Sequence, residues 1–290
     1  MARSEQSRYD AAPGRNRSSA GVADPPDQGR GAAMRTQSTW HGTVVALIAL
    51  IAMIAATAFI EFTHLGNTTV AGVSDEVFTW FAPAGYVFMI WIVIYVALAI
   101  WCVNLSRTST GDERFAGMPL GRDVVLFVVS CVLNIAWLVL WHLHNMVGSV
   151  IVIVVLLAVV AALYIAAKRP EAGLAEWMPL SIYAAWLLVA FVANAARAIT
   201  GASSSASRIV PVISTILLLL ALLAISYAVR ARKDDVVFPL PIIWAGIGIG
   251  VRLMGVSTLT GVLVIALTAL GGAAIYIPWN RVSISGRSGR

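Results

Sequence analysis

Eight stretches of about twenty predominantly apolar residues, almost free of charge inside, constrain this 290-residue chain more than any motif it carries. They lie at roughly 40–62, 83–105, 122–142, 146–168, 176–198, 208–230, 237–255 and 257–279. At 1.5 Å per residue, a helix of that length matches the hydrocarbon core of a bilayer. Backbone N–H and C=O groups in lipid must be paired within the protein, which only helices and closed barrels achieve. Barrel strands would show alternation over about ten residues, whereas these runs are continuous. The pattern predicts an all-α integral membrane protein, a bundle of eight transmembrane helices.

The basic residues test that count. With the N-terminus cytoplasmic, the outer side holds only Arg197, Arg208 and Arg252, and the other 17 of the 20 Lys and Arg fall inside. Adding or removing one span would scramble this bias. The predicted location is therefore a plasma (inner) membrane, multi-pass, with both termini cytoplasmic. The net charge of +6 would suit nucleic acid if it formed one face, but the cations sit at helix ends. They read as anchors to the lipid bilayer, and no nucleic acid partner is expected. Cys102 and Cys131 lie inside spans, so neither a disulfide framework nor a metal-ligand cluster is expected.

Composition divides the chain further. Residues 1–39, rich in Arg, Ser, Gly and Pro, read as a disordered cytoplasmic tail. Residues 40–200 form a five-helix membrane domain, 201–207 (GASSSAS) an outer linker, 208–280 three additional transmembrane helices, and 281–290 a second cytoplasmic tail. Ala56-Thr57-Ala58 has the small-residue look of a signal-peptidase site, but its apolar run is too long, so no cleavage is expected. In the seventh span Gly246 and Gly250 make a GxxxG face, suited to a neighbouring helix or to a second copy of the chain in a homodimer. Arg252, at the end of that span, has Glu61, Asp75 and Glu76 as candidate partners.

The side chains that carry information are polar-edged aromatics and amides at mid-membrane depth. Phe88, Trp91 and Tyr95 recur at i+3 and i+4, as do Asn134, Trp137 and Trp141, and Trp186, Ala190, Asn194 and Arg197. Each set is one stripe on its helix. An amide, indole N–H or phenol facing hydrocarbon would be unpaired, so the stripes should face the bundle interior and each other. Such a chamber suits a planar, largely apolar small molecule. The plainer alternative is that Trp91, Trp137 and Trp186 pack helix on helix, with Asn134 and Asn194 as interhelical hydrogen-bonding groups. Trp40, Trp80, Trp101, Trp141, Trp177 and Trp279 lie near span ends and read as an interfacial belt. His142 and His144, in a short hairpin, read as interfacial polar groups rather than metal ligands.

Three segments resemble the tryptophan-rich sensory protein family, also called the TspO/MBR or translocator protein family. "FAPAGYVFMIWIVIY" is similar to the entry of that family's second helix, through Pro83, Tyr86, Val87-Phe88, Trp91 and Tyr95. "LNIAWLVLWHLHN" resembles its third helix through Asn134 and Trp137, and "YAAWLLVAFVANAA" its fifth through Trp186, Phe191 and Asn194. The resemblance covers about residues 40–198 and leaves the last three helices without a counterpart in the five-helix family. It implies a tetrapyrrole, sterol or synthetic aromatic ligand, with porphyrin or haem the first choice. For such a ligand Arg197, at the outer rim, would meet a propionate. His142 and His144 are the candidates for approach to a haem iron, a role ranked below their reading as interfacial polar groups. The candidate ligand-binding set is Tyr86, Phe88, Trp91, Tyr95, Asn134, Trp137, Trp186, Ala190, Asn194 and Arg197.

No nucleophile and base pair, carboxylate dyad or metal cluster occurs in any span, and all 14 acids fall in tails, loops or helix ends. That favours binding over catalysis, with no cofactor required beyond a bound porphyrin or haem as ligand. The expected function is a binding protein, sensor or scavenger for a tetrapyrrole-like ligand. The alternative is a transporter or exporter of a small hydrophobic or anionic molecule, with Arg197 and Arg252 at its vestibule. Against it stand the lack of midplane ionisable residues and of an internal repeat.

Overall fold

The computed structural model describes residues 28–108, 120–202 and 209–277. The tail before Gln28, linker residues 203–208 and the segment from 278 onward, with Arg208 and Trp279, lie outside them. The described residues form helices joined by turns. They are α1 (Gln28–Thr63), α2 (Val70–Glu76), α3 (Ile90–Thr108), α4 (Arg122–His142), α5 (Met146–Ala167), α6 (Leu174–Ala202), α7 (Ile209–Lys233), α8 (Pro239–Met254) and α9 (Thr258–Tyr276). A 3₁₀ turn, Gly85–Met89, leads into α3.

Seven of these helices are long and apolar enough to cross a membrane. The exception among the expected eight is α8, with 16 residues, which at 1.5 Å each reaches only about 24 Å. Two further differences concern the ends. α1 begins at Gln28 and so takes in the last part of the stretch read as an unstructured tail. α2, seven residues within the connection from α1 to α3, was not anticipated.

Local signals fix the boundaries. The side chains of Thr69, Asn145 and Ser257 accept the N–H of Gly72, Gly148 and Thr260 and so cap α2, α5 and α9. α8 opens on Pro239, where a missing N–H costs nothing. The chain reverses after α1 through positive φ at His64, Gly66 and Asn67.

α1, α3, α6, α5 and α4 pack in that cyclic order, each on the next and α4 back on α1, closing a five-helix ring. α7, α8 and α9 pack mutually as a second unit, joined to the ring through α6 and α8. The GxxxG face serves this second unit from within the chain. A Cβ on Gly250 would stand 2.9 Å from the Gly261 carbonyl oxygen and 3.1 Å from the Ile265 nitrogen, both backbone atoms of α9. On the same helix, a Cβ on Gly248 would collide with Val87 of the 3₁₀ turn. Gly250→Leu is expected to force α8 from α9 and cost about 1–3 kcal/mol or more, read as a lower unfolding midpoint in detergent. Gly85→Ala, whose added methyl would meet only the Ala71 methyl at 3.6 Å, is the control that should leave the midpoint nearly unchanged.

Trp101, Trp141 and Trp177 correct the interfacial reading. Each is only 5% exposed, packed in the bundle rather than facing a lipid interface. Trp101 lies against Phe127 with ring centroids 4.9 Å apart, and the Lys168 ammonium sits 3.1 Å over the Trp177 ring. Helix ends that face a neighbour are buried however shallow they lie. Trp40 is exposed, at 64%.

Candidate functional site

The interior of the five-helix ring holds two adjoining cavities at the end where α1, α4 and α6 terminate. The smaller, about 30 Å³, is lined mainly by Ser74, Thr79 and Pro83 with Phe88, Trp91, Trp137, Trp141, Trp186, Ala190, Asn194 and Arg197. The larger, about 220 Å³, is lined by Thr57, Glu61, Thr69, Tyr95, Asn134 and neighbouring apolar residues. Phe88, Trp91, Trp137 and Val70 border both and so form the partition. The stripes on α3, α4 and α6 thus meet around one chamber, because helical spacing of i+3 and i+4 puts their members on single faces.

Aromatic contacts build the partition. The Trp91 ring lies 5.6 Å from Tyr95, 6.3 Å from Trp137, 6.1 Å from Tyr183 and 6.4 Å from Trp186, between centroids. Contacts of this kind contribute about 0.5–1.5 kcal/mol each. Asn134 donates from Nδ2 to the Tyr183 hydroxyl at 3.1 Å, and the Tyr95 hydroxyl reaches Thr57 Oγ1 at 3.4 Å. Asn194 accepts the Ser149 hydroxyl at 3.0 Å on Oδ1.

Three donors among these lining residues have no partner. They are the indole N–H groups of Trp137 and Trp186 and the amide nitrogen of Asn194, all buried. A buried N–H without an acceptor costs about 1–3 kcal/mol, so three of them beside one void mark a place where acceptors from elsewhere would be bound favourably. Arg197 adds a cation to the same wall. Its side chain is 9% exposed, 3.9 Å from Glu76, and Nε donates to the Val73 carbonyl at 3.4 Å.

α2 covers this end of the chamber and is held from four sides. Its first N–H, at Val70, donates to Glu61 of α1 at 3.0 Å, and the Val70 carbonyl accepts the Trp141 indole N–H of α4 at 3.2 Å. Arg197 holds it from α6. From α8, Arg252 forms an ion pair with Asp75, the one of its three candidate partners that it meets, and donates to the Ser74 carbonyl at 3.5 Å.

Of the expected set, Phe88, Trp91, Tyr95, Asn134, Trp137, Trp186, Ala190, Asn194 and Arg197 border the cavities. Tyr86 borders neither. It is 40% exposed and packs edge-on against Trp244 of α8, at 5.5 Å between rings. The histidines also differ from expectation. His142 is fully buried, not interfacial, and neither it nor His144 lines a cavity, while His144 pairs with Glu76 at 2.6 Å. Trp141, Glu61 and the α2 residues were missed as lining groups. Trp141 was signalled by its place one turn beyond Trp137; for α2 the local sequence offered only the capping residue Thr69, with too few residues after it to show a period. No group of His, Cys, Asp and Glu suited to a metal ion occurs among the described residues.

No match was found among curated proteins or among solved structures. The family model described as TSPO-like protein matches residues 43–279, beyond the five helices that carried the resemblance and through the last three. With a ring of five helices around an aromatic chamber and a family match over most of its length, this multi-pass membrane chain belongs to the TSPO-like family.

Proposed function

We propose that the protein binds a planar, largely apolar ligand of the tetrapyrrole class, porphyrin or haem, inside the ring, as its sensor or scavenger. The three partnerless N–H donors carry this reading, because a bound ligand with acceptor atoms would satisfy them. Aromatic walls supply stacking area, and Arg197 would pair with an acidic substituent such as a propionate. With the N-terminus cytoplasmic, the chamber lies toward the outer leaflet and α2 covers its mouth.

Size sets a condition. The two voids of about 30 and 220 Å³ together fall below the roughly 300–1,000 Å³ of ordinary ligand pockets. A tetrapyrrole therefore requires the Phe88, Trp91 and Trp137 partition to move, making one chamber of two. The histidines lie off the cavity walls, so the reading assigns them no iron ligation.

Porphyrin quenching of tryptophan fluorescence in the purified chain tests the proposal. Saturable quenching by the free acid is expected. Arg197→Gln should weaken it by roughly ten- to a hundredfold, the value of a buried charge-assisted hydrogen bond of about 1.5–3 kcal/mol. The dimethyl ester, lacking the acid, should bind both proteins alike. Quenching that never saturates, or an acid and ester equally affected by Arg197→Gln, would remove the assignment.

A further inference from the structure

The larger cavity carries a charge for which tetrapyrrole binding has no use. Glu61, at the end of α1, is among its lining residues, which include no Lys, Arg or His. Glu61 Oε1 accepts the Val70 N–H at 3.0 Å and stands 3.7 Å from His142 Nε2. His142 Nδ1 lies 2.9 Å from the Leu138 carbonyl oxygen, so in the neutral ring that nitrogen holds the proton and Nε2 presents a lone pair to Glu61. At 3.7 Å the Nε2–Oε1 separation is longer than a hydrogen bond, and Nε2 has no hydrogen-bond partner. Glu61 Oε2 makes none among the described residues, and the carboxylate is one-third exposed, 33%.

Around the same void stand the rings of Phe88, Trp91, Tyr95 and Trp137, with Thr57, Thr69 and Asn134 as neutral polar groups. Aromatic rings attract cations through their quadrupoles, and a partly exposed carboxylate beside them adds a direct, solvent-screened attraction. The same carboxylate repels acids. Arg197, the cation of the site, belongs to the other cavity, across the partition.

We infer that the larger cavity is a subsite for a small hydrophobic organic cation, a quaternary or protonated amine bearing an aryl or alkyl group, with Glu61 as its counter-ion. The two ends of the chamber are then sorted by charge, acids to Arg197 and amines to Glu61. This inference is carried by Glu61 and the larger void, and tetrapyrrole binding by Arg197 and the orphan donors, although a tetrapyrrole that merges the two voids would occupy the same space.

Benzyltrimethylammonium and its neutral isostere 2,2-dimethylpropylbenzene are the probes, titrated by tryptophan fluorescence and thermal shift into the full chain in a non-ionic detergent. The cation is expected to bind saturably and at least tenfold more tightly than the isostere. Glu61→Gln retains an oxygen for the Val70 N–H, so the fold should survive while the preference disappears. Arg197→Gln should leave the preference intact. Equal binding of cation and isostere, or a preference that persists in Glu61→Gln, overturns the inference. Porphyrin titrated into the same samples separates the two readings: Glu61→Gln should not weaken it, and absent porphyrin binding alongside a cation preference would remove only the tetrapyrrole assignment.

Discussion

Replacement of Asp235 by Ala is expected to destabilise the protein by on the order of 4 kcal/mol or more and to loosen α7–α9 from the ring. The residue sits in the connection between α7 and α8 and is completely buried. Its Oδ2 accepts the hydroxyls of Tyr164 on α5 and Ser181 on α6, both at 2.7 Å. Its Oδ1 accepts the N–H groups of Val237 and Phe238 at 2.8 and 2.9 Å, capping the entry to α8. One carboxylate thus ties the second unit to two helices of the first. Ala removes all four acceptor contacts at once and leaves the donors in a site closed to water, each at about 1–3 kcal/mol. Asp235→Asn keeps one oxygen and should fall between Ala and the native protein. Thermal unfolding in detergent checks the order, and an Ala variant with an unchanged midpoint would show that other contacts hold the two units together.

Asp235 also marks where the sequence stops being informative. An acid in a loop is ordinarily solvated, and nothing local distinguishes this one from Asp234 beside it, which is exposed. Its burial follows from helices more than fifty residues away in the chain. The spans themselves were legible because lipid imposes a length and forbids charge, a one-dimensional rule that a sequence states directly. The stripes were legible for the same reason, since helical spacing alone gathers Trp91 with Tyr95, or Asn194 with Arg197, on one face. Face and depth conflict at Trp141. Helical spacing puts it on the inward stripe with Asn134 and Trp137, whereas its place near the span end suggests an interface. The fold sides with the face, since Trp141 lines the chamber. α2 is too short for a periodic pattern to show, and side chains on α1, α4, α6 and α8 hold it in place. The glycine face was read correctly as a close-packing surface, while its occupant, α9 rather than a second copy, required the fold.

Trp91→Ala is expected to shift two ligand classes in opposite directions. The indole borders both cavities and touches Tyr95, Trp137, Tyr183 and Trp186, so its removal opens the partition. A buried Trp→Ala change costs about 3–5 kcal/mol, and the half-buried Trp91, already next to empty space, should fall toward the lower end. If the closed partition is what limits a tetrapyrrole, the variant has already removed that barrier, and porphyrin should bind more tightly than to the native chain despite the lost stacking. A small aryl cation gains nothing from the added space. It loses a ring from its enclosure and should bind roughly tenfold more weakly, in keeping with a cation–ring interaction of about 0.5–2 kcal/mol. Trp91→Phe, which keeps a ring but shortens the partition, should show both shifts in reduced form. Parallel weakening of both ligands would instead make Trp91 a direct contact in a chamber that is already continuous, and the movement required of the partition would have to be assigned elsewhere.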